Sequence, residues 1–177
     1  MRKIVYYVAS SLDGFISGLN DDISGFVGTG NGVEKYLSDL LNFDTVIMGR
    51  HTYEFGYKFG LQPGLPAYPH MLHYIFSDNL RLENADPKVQ VKKINLQEIE
   101  TIQNQPGTDI YLCGGGQFAG WLLDNKKIDT LKLKLNPLIL GQGVKIFGSS
   151  KRSCKIELNN SEVYDNGLQI MTFIIKY

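Results

Sequence analysis

The stretch that most constrains the fold runs Asp109-Ile110-Tyr111-Leu112-Cys113-Gly114-Gly115-Gly116-Gln117-Phe118-Ala119-Gly120-Trp121-Leu122-Leu123. Ile110 to Cys113 is a short apolar run suited to a buried strand, and Phe118, Trp121 and Leu122 recur at helical spacing. Three consecutive glycines stand between them. Without Cβ atoms they let the backbone turn sharply and a ligand come close, and the helix that follows offers unpaired N–H groups to an anion. The stretch predicts a strand, a glycine turn and a helix around a place where a phosphate can dock.

Gly114, Gly116 and Ala119 also satisfy G-x-G-x-x-A, the dinucleotide fingerprint. A Rossmann domain is nevertheless disfavoured. The motif begins about two thirds along the chain, too late for the remaining parallel strands, and the position roughly 20 residues on, where an acid should meet the ribose, falls in Lys132-Leu133-Lys134-Leu135-Asn136. A second segment, Asp44 to Glu54, repeats the architecture around Gly49. There Thr52 or a neighbour can cap a helix, and Arg50 with His51 places positive charge beside its free N–H groups, a second candidate anion site.

Taken in order, residues 3 to 9 read as a strand and residues 10 to 18 as a loop. Residues 19 to 32 are rich in Gly, Asn and Asp, too polar to pack and long for a simple connection, as binding loops or lids are. Val33, Tyr36, Leu37, Leu40 and Leu41 mark a helix over 33 to 41, and Pro63, Pro66 and Pro69 an irregular loop over 60 to 70. Strands over 73 to 77 and 89 to 94 and a helix over 96 to 103 follow. Strands alternating with helices predict a mostly parallel sheet covered on both faces. After the glycine motif, residues 128 to 135 alternate, with Leu131, Leu133 and Leu135 on one face and Lys132 and Lys134 on the other, which suits a sheet wetted on one side. Residues 155 to 164 and 168 to 177 flank Asn166-Gly167, a type I′ hairpin signal, so the C-terminal third reads as antiparallel. No linker or repeat divides residues 1 to 177, and one domain is expected.

Lys plus Arg equals Asp plus Glu at 18 each, so no global field draws nucleic acid or an anionic membrane. No apolar stretch reaches membrane-spanning length and Met1-Arg2-Lys3 leads directly into a strand, which places the protein in the cytoplasm. Cys113 and Cys154 are too few for a disulfide framework, and neither they nor His51, His70 and His73 show metal-ligand spacing, so no metal is expected. Cys113 reads as a small apolar core residue.

Val46-Ile47-Met48-Gly49-Arg50-His51-Thr52-Tyr53-Glu54 and Cys113-Gly114-Gly115-Gly116-Gln117-Phe118 resemble the two phosphate-binding segments of the dihydrofolate reductase fold, in the same order and at a similar separation. Ser11-Leu12-Asp13-Gly14-Phe15-Ile16 and residues 136 to 147 are similar to a bacterial group within that superfamily, related to the reductase domain of the riboflavin-pathway deaminase-reductase. The resemblance spans nearly the whole chain. It implies an α/β three-layer fold with a central mixed sheet, parallel in its first part and ending in an antiparallel hairpin, with helices on both faces. It further implies NADPH as hydride donor, a homodimer, and a cis peptide between the first two glycines.

By the same resemblance, Ala9 and Ile16 offer backbone groups to the nicotinamide carboxamide. Gly49, Arg50, His51 and Thr52 hold the cofactor phosphates, Ser77 lies by the adenosine, and Cys113, Gly114, Gly115, Gly116, Gln117 and Phe118 cradle the pyrophosphate. Gln117 stands where the family has an arginine, and Asp78 follows Ser77, which leaves Arg50 to carry any preference for a 2′-phosphate. Glu34 and Asp13 are the candidate proton donors, Glu34 aligning with the folate enzymes' acid only with a one-residue slip. Residues 68 to 73 lack the arginine that clamps a glutamate tail, which disfavours dihydrofolate, and residues 19 to 32 lack a basic residue for a substrate phosphate. The expected function is an NADPH-dependent reductase of a pteridine, pyrimidine or ribosylaminopyrimidine-type substrate, like 5-amino-6-(5-phosphoribosylamino)uracil reductase. Dihydrofolate reductase proper and a nucleotide-binding dimeric module without turnover are the alternatives.

Overall fold

A computed structural model describes residues Met1–Tyr177. Strand β1 (Ile4–Ser10) is apolar at successive positions because both its faces are covered. It lies mid-sheet, parallel to β6 (Ile110–Gly114) on one side and to β7 (Thr130–Leu135) on the other. Beyond β6 come β3 (Thr45–Gly49), β4 (Leu72–Phe76) and β5 (Val89–Lys92), all parallel. Beyond β7 lie β10 (Gln169–Lys176) and β9 (Lys155–Val163), each antiparallel to its neighbour. The eight-stranded order is β5-β4-β3-β6-β1-β7-β10-β9, and β2 (Phe15–Ser17) pairs with β8 (Val144–Lys145) in a separate small sheet.

Helices α1 (Asn31–Leu40) and α2 (Arg50–Phe55) cover one face, and α3 (Leu96–Gln103) and α4 (Gly116–Asp124) the other. The period of a strand sorts the core accordingly. Ile4, Tyr6 and Val8 pack with Ile99, Ile102, Phe118 and Leu122, whereas Val5 and Tyr7 pack with Leu40 and Tyr53. Helix α3 starts at an Asn95 cap whose Oδ1 accepts the Glu98 N–H at 2.9 Å. The result is a three-layer α/β fold around a mixed sheet.

Two expectations need correction. The lysine face of β7 is not wetted: Lys134 is only 8% exposed, because α1 crosses that face. Lys132 is ion-paired with Asp39 and lies 4.6 Å from the Tyr7 ring centroid, and Lys134 Nζ lies 4.9 Å over Tyr36. A carboxylate and two aromatic faces replace water there, while the stems pack. Burial raises the Asp39 pKa, but the bonds from Lys132 and Lys35 outweigh it and hold the group below its ordinary value; burial alone lowers Lys134. In addition, β7 is parallel to β1, so the antiparallel part begins only at β10.

Smaller differences lie at element ends. Helix α1 starts at Asn31, after a Gly30 with φ of 100°, and β5 ends at Lys92. At the hairpin Asn166 and Gly167 have φ of 64° and 74°, the two positive values a type I′ turn requires. No helix is long and apolar enough to cross a membrane.

Candidate cofactor-binding site

The C-terminal ends of β1, β3, β4 and β6 open onto one cavity of about 940 Å³, the position where open parallel sheets place ligands. Ala9, Ile16, Gly49, Arg50, His51, Thr52, Ser77 and Cys113 through Phe118 all line it. Segments far apart in sequence meet there because the strands that carry them are neighbours.

The floor is built by the two strand-to-helix junctions pressed together. Opposite β6, Ile47 pairs with Leu112 and Met48 with Gly114, so Cys113 bulges out of that ladder. Gly114 and Gly115 then adopt φ of 130° and 49°. A Cβ on Gly115 would stand 2.8 Å from Thr52 Oγ1, and one on Gly49 3.2 Å from Phe118 Cβ. Behind the turn, a Cβ on Gly116 would come within 2.2 Å of the Lys145 carbonyl oxygen. Glycine is required here by contact as well as by dihedral. The bond between Gly114 and Gly115 is trans, as is every other peptide bond, which differs from the cis geometry the resemblance implies.

Basic side chains stand at the mouth. Arg50 Nε donates to Glu54 Oε1 at 2.8 Å, and His51 Nε2 lies 3.1 Å from both carboxylate oxygens of Asp21, with Lys58 Nζ 3.5 Å away. The hydrogen bond with His51 is the main reason that the Asp21 carboxyl is held below its ordinary pKa. Asp21 and Ile23 line the cavity, so the polar loop contributes a wall, and the Asp21 carboxylate is already engaged with His51 and Lys58. Phe76, Phe118 and Trp121 also line the cavity and stack with centroids 4.8 and 5.9 Å apart; Phe76 and Phe118 are buried, and the half-buried Trp121 is the ring most open to a base. Ser77 Oγ accepts the N–H groups of Asn79 and Leu80 and so closes the turn after β4.

The two candidate proton donors lie elsewhere. Asp13 is exposed and outside the cavity, where it accepts from Ser11 Oγ at 2.7 Å and from the N–H groups of Leu140 and Gly141 at 3.1 and 2.7 Å. The Ser11 bond first, and the two backbone bonds with it, hold its pKa at about 2, so it is ionised at neutral pH and has no proton to give. Its place is to tie the turn at Gly14 to residues 140 and 141. Glu34 sits on the solvent side of α1 and does not line the cavity.

The inner end was not legible in the sequence as a site. Met48, Tyr53, Leu61, Ala67, Tyr68 and Cys113 form an apolar chamber there. Tyr68 is delivered by the proline-rich loop and held by His73, whose Nε2 accepts the Tyr68 N–H at 3.1 Å while Nδ1–H donates to the Met71 carbonyl at 3.1 Å. Burial lowers the His73 pKa to about 4, so the ring is neutral, as this bonding demands. Burial raises the Cys113 pKa, which makes the thiol unreactive. The stiffness of Pro63, Pro66 and Pro69 was the one signal that this loop holds a defined shape.

Comparison with known proteins agrees with this geometry. The uncharacterized protein YwjB of Bacillus subtilis (strain 168) is 27% identical over 173 residues, covering 96% of this chain and 96% of its own. The diaminohydroxyphosphoribosylaminopyrimidine deaminase/5-amino-6-(5-phosphoribosylamino)uracil reductase of Thermotoga maritima shares the fold with a TM-score of 0.71 at 16% identity; the match covers 99% of this chain and 57% of that one. Dihydrofolate reductase from Enterococcus faecalis, solved with NADP(H), superposes with a TM-score of 0.68 at 14% identity over 99% of this chain and 97% of that one. The model of the RibD C-terminal domain matches residues 2–170, from the first residues of β1 to the start of β10. With the sheet order, the paired glycine junctions and this match over nearly its full length, the chain belongs to the RibD C-terminal domain family.

Proposed function

We propose that the protein is an NADPH-dependent reductase that delivers hydride to a small heterocycle of the pteridine, pyrimidine or ribosylaminopyrimidine type. The observation that carries this reading is the contact between the two junctions. Gly115 approaches Thr52 too closely for any side chain, so bare backbone faces the cavity where the start of α4, Arg50 and His51 meet, the arrangement that suits a pyrophosphate. The residues present fit the cofactor. Gly114 to Gln117 would hold the bridge, Arg50 the 2′-phosphate, the Phe118–Trp121 stack the adenine, and Ala9 and Ile16 the nicotinamide. Bound there, the reduced nicotinamide supplies the hydride, and the apolar chamber beside it excludes water and fixes the acceptor's approach.

Dihydrofolate is the weaker substrate reading. Neither the inner chamber nor residues 68 to 73 offers an arginine for its glutamate tail. Strand β9 supports a homodimer, since this nine-residue edge exposes Ile156, Leu158 and Val163; the mass in solution by light scattering reads that directly. The function is tested by titrating NADPH and NADH and following emission of Trp121, the one tryptophan and a cavity residue. Saturable NADPH quenching is expected. Arg50→Ala should weaken NADPH about tenfold to a hundredfold, the scale of one charge-assisted bond, and NADH less. Absence of binding by either cofactor sinks the reductase reading and leaves a module without turnover.

A further inference from the structure

The inner end of the cavity holds hydrogen-bonding groups that cofactor binding does not employ. Tyr68 and Cys113 line the wall, with the Tyr68 hydroxyl 3.5 Å from the Cys113 sulfur. Behind them the hydroxyls of Tyr36, from α1, and Tyr111, from β6, are 2.8 Å apart. Tyr68 meets Tyr111 edge-on at 5.6 Å and stacks on His73 at 5.9 Å, so its ring is fixed on two sides.

Each of these groups carries one proton and each hydroxyl oxygen can also accept one: Tyr36 and Tyr111 serve each other, whereas the Tyr68 hydroxyl meets the Cys113 sulfur. No carboxylate or carbonyl oxygen is bonded to any of them, and sulfur is a weak acceptor. Burial pushes the Tyr36 hydroxyl up to about 12 and raises those of Tyr68 and Tyr111 well above their ordinary value, so all three remain protonated. The nearest acid on this face, Asp39, is committed to Lys35, Lys132 and Tyr7. The Tyr68 hydroxyl is therefore left with sulfur, the weakest acceptor in the cluster, as its partner. Tyr68 is the phenol of the cluster that borders the cavity.

We propose that the Tyr68 hydroxyl, backed by the Tyr36–Tyr111 pair, receives a ring carbonyl oxygen, or the oxyanion that forms from it, and so selects oxo-bearing heterocycles at the inner end of the cavity. The word substrate in this inference rests on the reductase reading, but the donor cluster does not. A cationic ring would find no carboxylate at this end. An oxygen acceptor gives the Tyr68 hydroxyl a stronger partner than sulfur, and a donor already in place at an oxygen that gains charge needs no reorganisation. Tyr68 is then a specificity-determining residue that touches the ligand, while Tyr36 and Tyr111 position it.

The probe is 4-nitrophenol, a single-ring acid whose anion absorbs visible light. Titrated into the wild-type protein at neutral pH, it should bind saturably, with its absorption shifted toward the anion. Tyr68→Phe should weaken it about tenfold, the worth of one hydrogen bond, and Tyr36→Phe by less, while both variants keep wild-type NADPH quenching and melt in a single cooperative transition. Failure of the wild type to bind the probe, or equal binding by Tyr68→Phe, overturns the inference. Should Tyr68→Phe not fold, Tyr36→Phe carries the same comparison, and unchanged binding there removes the backing pair. Loss of NADPH binding in the wild type would instead sink the reductase reading and leave the probe titration to judge the cluster on its own.

Discussion

The two ends of the cavity are built by opposite means. At the junction end the cavity wall is backbone at two glycine turns, with Arg50 beside it as the side chain proposed to meet the cofactor. At the inner end the backbone is remote, and hydroxyls from α1, β6 and the 60–70 loop do the recognising. The difference teaches which changes each end tolerates. An added Cβ is ruinous at the first and irrelevant at the second, whereas a deleted oxygen matters only at the second.

The strongest way to break that contrast is Gly116→Val. Its Cβ would stand 2.2 Å from the Lys145 carbonyl, so α4 must move off β8. A loss of about 3 kcal/mol is expected in urea unfolding, together with loss of NADPH quenching. A midpoint equal to wild type would show that the turn is not close-packed.

Acid offers the next test, aimed at the inner end. The His73 pKa is about 4 in the folded protein against an ordinary 6.5, so between these values the unfolded chain binds more protons. Stability contributed by neutral His73 is present above pH 6.5 and lost as pH falls through about 4, by up to about 3 kcal/mol at that extreme. Melting temperature followed across this window should fall in the wild type and be flatter in His73→Gln; parallel curves would remove His73 as the brace of Tyr68.

The smallest effect is expected at the mouth. Asp21→Asn frees His51 of its carboxylate partner, and NADPH should bind a few-fold more tightly, on the scale of an exposed ion pair. Weaker binding would instead make Asp21 a support of the site. Tyr68→Phe should leave that titration untouched, which separates the two ends in one set of measurements.

The junction end was legible because its chemistry is local. A buried strand, a glycine and a helix start lie within about ten residues, at Gly49 and again at Gly114, and turn geometry is a property of neighbouring residues. The same locality explains why the Asn166-Gly167 hairpin and the extent of α3, residues 96 to 103, could be read directly. Reading failed where the answer depended on what covers a surface. Lys132 and Lys134 alternate like residues facing water, and nothing in their spacing announces that α1 brings Asp39 and Tyr36 over them. Asp13 and Glu34 have the right functional groups for proton donation, but only the path of the chain places both outside the cavity.

The amino-acid sequence by itself determined the order of strands and helices, the two glycine junctions and the basic pair at Arg50 and His51, because period, turn chemistry and charge are written over short spans. Only the tertiary structure decided that the junctions touch through Gly115 and Thr52, that Asp13 is an ionised turn staple, and that Tyr36, Tyr68, Tyr111 and Cys113 form one cluster. Those facts depend on residues up to 128 positions apart, Asp13 and Gly141, brought together by the path of the chain through the fold. A side chain's burial, its ionisation and the company it keeps follow from packing between distant elements, and no local pattern encodes them.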